Sequence, residues 1–390
     1  MTDAAALLAA IRHAPDDDAP RLVYADWLEE HGQPERAEFI RVQVESANLP
    51  WDDQRWNPLS EKAKKLLEAR GEEWIEPFAW LSPGGKTEVY LDKPTIEGRG
   101  GGVQLNWVDP SPSDMGDVAP PYERAFDFHR GFVRRIHLEP EALLRFPDHF
   151  VALGSPPRAL IRWSPEIGNQ GRVAELWAGV SRVLRTGAFS DWAFSNFNHE
   201  VGWLPLLADD AEVARHVSGL YIDEGQGVLT DSALIALYPL VPLLEDLHLA
   251  YSQWSPATIR ELGRYGLNRR LRHLDYRENR SAASRISAAD TLAAIAEVGS
   301  WPRLQSLTLD GLESVGGEVV SLVRDGLLPA LRKLSFSGPG GTPEFFAAII
   351  QNPHLAHVGR IEYWHYGTVW ERNPVIRELA ERSGARFQYR

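Results

Sequence analysis

The sequence predicts an α/β fold of stacked strand–loop–helix units behind a helical N-terminal cap, and three observations predict it. One hydrophobic phrase recurs. Its copies Val217–Ile222, Leu244–Leu249, Leu271–Tyr276, Leu304–Leu309, Leu331–Phe336 and Val358–Tyr363 begin 27, 27, 33, 27 and 27 residues apart. A nearly fixed period of this size marks a stacked repeat, in which each unit buries its apolar face against its neighbours. Within each phrase, apolar and variable positions alternate as they do in strands, so Leu244, Leu247 and Leu249 are expected inside and the residues between them outside. Helix starts fall in register between the phrases. Ser255-Pro256, Thr342-Pro343 and Asn373-Pro374 each join an N-cap side chain to a proline at the first helical position, where its missing N–H costs nothing. Ser287 followed by Asp290 is a weaker start signal.

These residues resemble the leucine-rich repeat family in its long, helix-containing form, over residues 217–390 with decayed copies upstream. The Asn expected shortly after the phrase is missing or replaced in every copy. The resemblance implies a horseshoe, with parallel strands on the concave face and helices on the convex one. The alternative is an ordinary α/β domain with coincidental spacing, which four steps of 27 residues argue against.

The cap occupies 1–81. Residues 3–13 read as an amphipathic helix with Leu7, Leu8 and Ile11 on one face, followed by the turn Pro15-Asp16-Asp17-Asp18. Pro20–His31 reads as a second helix stopped by Gly32, and Pro34 opens a third that reaches about Leu49. Leu22, Ala25 and Leu28 are expected to face Ile40, Val44 and Ala47. The run Asp16–Gln43 closely resembles the repeat-companion domain, a short bacterial module at the N-termini of repeat proteins. The match lies in Leu22–Glu30, Gly32 and Ala37–Arg41, and it implies no activity. Asp26, Glu38 and Arg41 are placed to pair between helices. Residues 59–76 extend the helical part, with Leu66, Leu67 and Trp74 inward.

Residues 82–125 are rich in Gly, Pro and Asp and read as a linker or β-hairpin insert, Thr87–Leu91 pairing with Val103–Val108. Alternation begins again at Arg130–Leu138. Leu160–Trp163 and Val180–Leu184 read as irregular copies, and the rings of Trp192–Trp203 as mostly core. The repeat array is therefore placed at 126–390: irregular over 126–216, regular over 217–372, and capped by 373–390. In that cap a helix carries Val375, Ile376 and Leu379, Gly384 stops it, and Ala385–Tyr389 alternates like a last strand.

Composition narrows the function. The chain has 390 residues, 44% of them hydrophobic, and no cysteine, so disulfides, thiolate metal sites and a Cys nucleophile are all excluded. Its net charge of −13 argues against bulk nucleic-acid binding, which depends on neutralising phosphates. No apolar run approaches the ~20 residues a membrane helix needs, and the N-terminal apolar run is broken by Arg12 and His13, so a cytoplasmic protein without a membrane anchor is expected.

No catalytic motif assembles. Gly84-Gly85-Lys86-Thr87 has the end of a phosphate loop, but Trp80 stands where the earlier glycine belongs. The glycines at 98–102 open no helix, and Asp16–Asp18 lacks the spaced ligands of a calcium loop. His354 and His357 have a chelating spacing but no acidic third ligand in register. No cofactor is implied.

Surface remains. The residues beside the inward positions are Tyr221 and Asp223; Asp246 and His248; His273, Asp275 and Arg277; Thr308 and Asp310; Lys333 and Ser335; Arg360, Glu362 and Trp364. This mix of aromatic, acidic and basic groups suits a protein partner better than a polyanion. Against an acidic background, Arg264, Arg269, Arg270, Arg272, Arg277, Arg280 and Arg285 cluster at the one repeat that is six residues longer (33 − 27). The expected function is thus a non-catalytic scaffold that binds another protein on the concave face, with Arg280 included in the site. Two alternatives stay open: an enzyme with its site in 82–125 or in the groove, and a phosphate or nucleic-acid reader using the Arg264–Arg285 rim.

Overall fold

Four helices open the chain: α1 (Asp3–His13), α2 (Ala19–Glu30), α3 (Pro34–Asn48) and α4 (Trp56–Trp74). The computed structural model describes residues 3–14, 17–49, 53–75, 86–91, 103–108, 124–138, 140–145, 158–163, 170–186, 189, 191–196, 202–223, 230–252, 254–278, 288–310, 316–337, 348–364 and 387–389. Two units divide the chain: Met1–Ile161 with Arg182–Ser190, and Arg162–Ser181 with Asp191–Arg390.

In the first unit, Gly32 takes φ 81° after α2, as its position predicts. Ala25 and Leu28 of α2 pack with Ala37, Ile40 and Val44 of α3. Leu22 departs from expectation. It is 39% exposed and Val23 52%, while Arg21 is buried and donates to the Asp17 carbonyl at 2.6 Å. The inward stripe is Arg21, Ala25 and Leu28, spaced four and three residues apart. Leu22 lies about 100° around the helix from Arg21. Arg41 pairs with Asp26 at 2.7 Å and Glu29 at 2.6 Å. Glu38 turns instead to Lys62 of α4. Leu67 is buried and Trp74 meets Phe39, ring centroids 4.7 Å apart.

Strands follow. β1 (Lys86–Leu91) and β2 (Val103–Val108) pair antiparallel with Thr87 opposite Trp107, which is the predicted hairpin. β3 (Arg124–His129) and β4 (Phe132–Leu138) continue the antiparallel order. The alternating run at Arg130–Leu138 is therefore not all strand, because Arg130 and Gly131 form the turn. Parallel pairing starts with β5 (Arg158–Trp163), where Arg135 stands opposite Arg158.

Val180–Leu184 is not a strand. It ends a helix, Gln170–Leu184. Val173, Leu176, Trp177, Val180, Val183 and Leu184 are all buried, and their spacing of three and four is helical. The strand falls later, at β6 (Trp192–Asn196), inside the aromatic segment, where Trp192, Phe194 and Trp203 are buried as expected.

In the second unit the six phrases coincide with β7 (Val217–Asp223), β8 (Asp246–Ser252), β9 (His273–Glu278), β10 (Ser306–Asp310), β11 (Lys333–Ser337) and β12 (Arg360–Trp364). Each pairs parallel with the next. β13 (Phe387–Tyr389) pairs parallel with β12, so the expected terminal strand is present. Among the described residues of this unit, β7 to β13 follow one another in chain order and β7 does not pair with β13. One inward row is Leu220, Leu247, Leu274, Leu307, Leu334 and Ile361, each at most 1% exposed. Each such side chain contributes about 1.5–3 kcal/mol by leaving water. Helices Asp231–Leu237, Pro256–Arg264, Ala288–Val298 and Gly316–Arg324 separate the strands. The Ser255 hydroxyl accepts from Ala257 N at 3.2 Å, as the cap signal predicts. The signals at Thr342-Pro343 and Asn373-Pro374, and the helix expected after the latter, lie outside the described residues.

Helix Pro256–Arg264 approaches Ala288–Val298 closely at Gly263, where an added Cβ would sit 2.7 Å from a Val298 methyl. Val298 is stiff at χ1, so Gly263→Ala is expected to cost about 1–3 kcal/mol. An unchanged urea midpoint would show that this pair gives way. Among the described residues, no helix is long and apolar enough to cross a membrane.

Candidate functional site

On β7–β12, alternation turns every second side chain away from the leucine row. Pairing register sorts these residues into lines across the strands. Asp246, His273, Ser306, Lys333 and Arg360 form one line, and Tyr221, His248, Asp275, Thr308, Ser335 and Glu362 the next. Sequence distances of 27 or 33 residues thus become separations of about 4.8 Å.

Two polar groups result. At β7–β9, the Tyr221 hydroxyl donates to Asp246 Oδ2 at 3.3 Å. Asp246 Oδ1 lies 3.6 Å from His273 Nε2, and His248 Nδ1 pairs with Asp275 Oδ2 at 2.8 Å. The Tyr221 and His248 rings lie 6.3 Å apart. The side chains of His248 and Asp275 keep 24% and 18% of their surface, while Asp246 is buried. The buried carboxylate holds the floor, and the His248–Asp275 pair reaches solvent above it.

At β11–β12, Glu362 is the hub. It accepts from Ser335 Oγ at 3.2 Å, pairs with Lys333 Nζ at 3.2 Å, and contacts the Arg360 guanidinium. Glu362 is 1% and Arg360 3% exposed. Two charges this deep persist because they are paired with opposite charge; an unpaired one would be costly. Thr308, between the groups, is 6% exposed.

The predicted residues therefore divide. Tyr221, His248, His273 and Asp275 come together, as do Lys333, Arg360 and Glu362. Asp246, Thr308, Ser335, Arg360 and Glu362 do not project into solvent as expected: all are buried, and Asp246, Ser335, Arg360 and Glu362 are engaged with neighbouring side chains. Asp223, Arg277, Asp310 and Trp364 fall near the C-terminal ends of their strands, with side chains outside the described residues, and Arg280 and Arg285 lie wholly outside them. Ser306 belongs to the first line and is buried, and it was absent from the predicted set. Counting from each phrase to the residue before its second apolar position would have found it.

Arg264, Arg269 and Arg270 precede β9 and are exposed, and Arg272 lies 3.6 Å from Glu245. Arg277 is near the other end of that strand. Five residue steps along the backbone from Arg272 to Arg277 span roughly 17 Å, and Arg280 and Arg285 lie outside the described residues. His354 and His357 are exposed on and beside the short helix Pro353–Leu355. Among the described residues, no three His, Cys, Asp or Glu side chains gather as metal ligands would.

No family model matches this chain, and no curated protein sequence is significantly similar to it.

Proposed function

We propose that this chain is a non-catalytic interaction scaffold of the leucine-rich-repeat type, with a horseshoe array that binds another protein on its strand face. The observation that carries this reading is the group Tyr221, Asp246, His248, His273 and Asp275. Its buried floor and mutually paired polar groups orient the half-exposed members before any partner arrives, which lowers the entropy lost on binding. Donors, acceptors and a phenol ring within one patch fit a protein surface of mixed polarity. A polyanion fits less well, given the net charge of −13. The strand lines and 27-residue steps support the horseshoe, and the run Asp16–Gln43 supports a repeat-companion module at the N-terminus.

The test is site-specific photocrosslinking in the native host. A benzophenone side chain at position 248 is expected to capture one discrete partner. The same group at position 260, on the exposed side of helix Pro256–Arg264, is expected to capture none. Capture from 260 and not from 248 would move the site to the helices.

A further inference from the structure

The turn between β3 and β4 is held by the N-terminal helices. His129 pairs with Phe132, and the two residues between them take positive φ, 50° at Arg130 and 85° at Gly131. Two successive left-handed residues make the tight turn that matches the twist of a hairpin. Asp18, at the N-cap of α2, and Ile40 and Gln43 of α3 meet this turn. Asp18 Oδ1 lies 3.2 Å from Arg130 Nη1, and the other carboxylate oxygen accepts from Asn48 Nδ2 at 2.8 Å, which fixes its direction. Gln43 Oε1, buried on α3, accepts from the Gly131 backbone N–H at 2.7 Å. The bare Gly131 Cα lies so close to α3 that a Cβ there would stand 2.4 Å from Ile40 Cγ1 and 2.8 Å from Ile40 Cα.

Phe132 completes the fit. It packs on the α2–α3 core, its ring centroid 5.9 Å from that of Tyr24. The Arg36 guanidinium lies 5.7 Å from the same ring and 4.7 Å from Trp74. Its Nη1 is buried and makes no hydrogen bond among the described residues, and the guanidinium stands against the aromatic rings of Phe39, Trp74, Phe128 and Phe132. Burial there pushes the Arg36 pKa down to about 10, with Tyr24 acting in the opposite sense.

We propose that Asp18–Gln43 is a binding site for a left-handed Arg-Gly turn followed by an aromatic residue, and that Arg130-Gly131-Phe132 is its ligand in this chain. Each ligand position is read by different chemistry: a carboxylate for the arginine, an amide acceptor with no room for a side chain at the glycine, and a ring-lined recess for the phenylalanine. The module's residues then serve to clamp the first hairpin, a role separate from partner binding by β7–β12.

Hydrogen exchange and trypsin on the full chain test this. Gln43→Leu is expected to speed exchange of the Gly131 amide about tenfold, as loss of one buried hydrogen bond should. Gln43→Glu keeps an acceptor and should stay within about threefold of the parent. Amides of β10 and β11 serve as the control for global unfolding. Gly131→Asn separates recognition from turn geometry, because Asn tolerates the left-handed region but its Cβ meets Ile40. That variant is expected to be cut after Arg130 at least about tenfold faster than the parent, the same scale as losing the clamp's hydrogen bond. Equal Gly131 exchange in the parent and Gln43→Leu would overturn the proposal, and so would full trypsin resistance in Gly131→Asn.

Discussion

Leu247→Asp should melt the second unit well below the parent's transition. Leu247 is 1% exposed and stands in register between Leu220 and Leu274, both equally buried. A carboxylate there has no cation to pair with in the leucine row, and water cannot reach it. An unpaired buried charge of this kind costs roughly 3–5 kcal/mol, and loss of the leucine's packing adds to it. For a unit of this size, the charge alone corresponds to a fall in Tm of roughly 6–20 °C. Leu247→Ala should fall short of this, at about 2–5 kcal/mol. His248→Asn, one residue along and on the opposite face, should shift Tm far less. Differential scanning calorimetry of the three variants checks the order. If Leu247→Asp melts with the parent, the inside and outside of these strands have been exchanged.

Glu362→Leu should be nearly as damaging, for the opposite reason. It removes the carboxylate from a buried charge group and takes that contact from Arg360 and Lys333. Arg360, 3% exposed, would keep its guanidinium inside without the carboxylate that contacts it, and Lys333 would lose its 3.2 Å partner. Breaking one side of such a pair costs about 3–5 kcal/mol, whereas removing both charges in favour of apolar groups is often close to neutral. The double variant Arg360→Leu/Glu362→Leu is therefore expected to recover much of the stability lost by Glu362→Leu alone. Urea titrations of both singles and the double close the cycle. A double variant less stable than either single would mean the two side chains stabilise the strands independently.

These two expectations were not equally legible in the sequence. Leu247 sits in a phrase repeated at fixed steps, and period-two alternation places it inside before any coordinates are known. The same local logic found the β1–β2 hairpin, the Ser255 cap and the terminal strand β13, because turns, caps and alternation act over a few residues. It failed where two periods compete. Val180–Leu184 is apolar enough for a strand, but Val173, Leu176 and Trp177 upstream extend a helical stripe through it. It also failed at Arg130-Gly131, where a strand-like run begins with two left-handed residues, and at Leu22, which is displaced by Arg21 on the inward stripe.

Sequence by itself determined that this chain repeats, which residues of each phrase face inward, and that one glycine ends α2, since all of these follow from spacing and local backbone preference. Tertiary structure alone decided what the outward residues do. Glu362 reads as a soluble strand residue, yet it is buried as the hub of a charge group, because Ser335 and Lys333 stand beside it on the neighbouring strand and Arg360 two residues away on its own. Arg272 and Arg277, close in the sequence, stand at opposite ends of β9, because a strand advances about 3.3 Å with each residue. The physical reason is common to both. Burial, pairing and patch geometry depend on which residues the strand register sets side by side, and a residue's own neighbours in the chain carry no record of that.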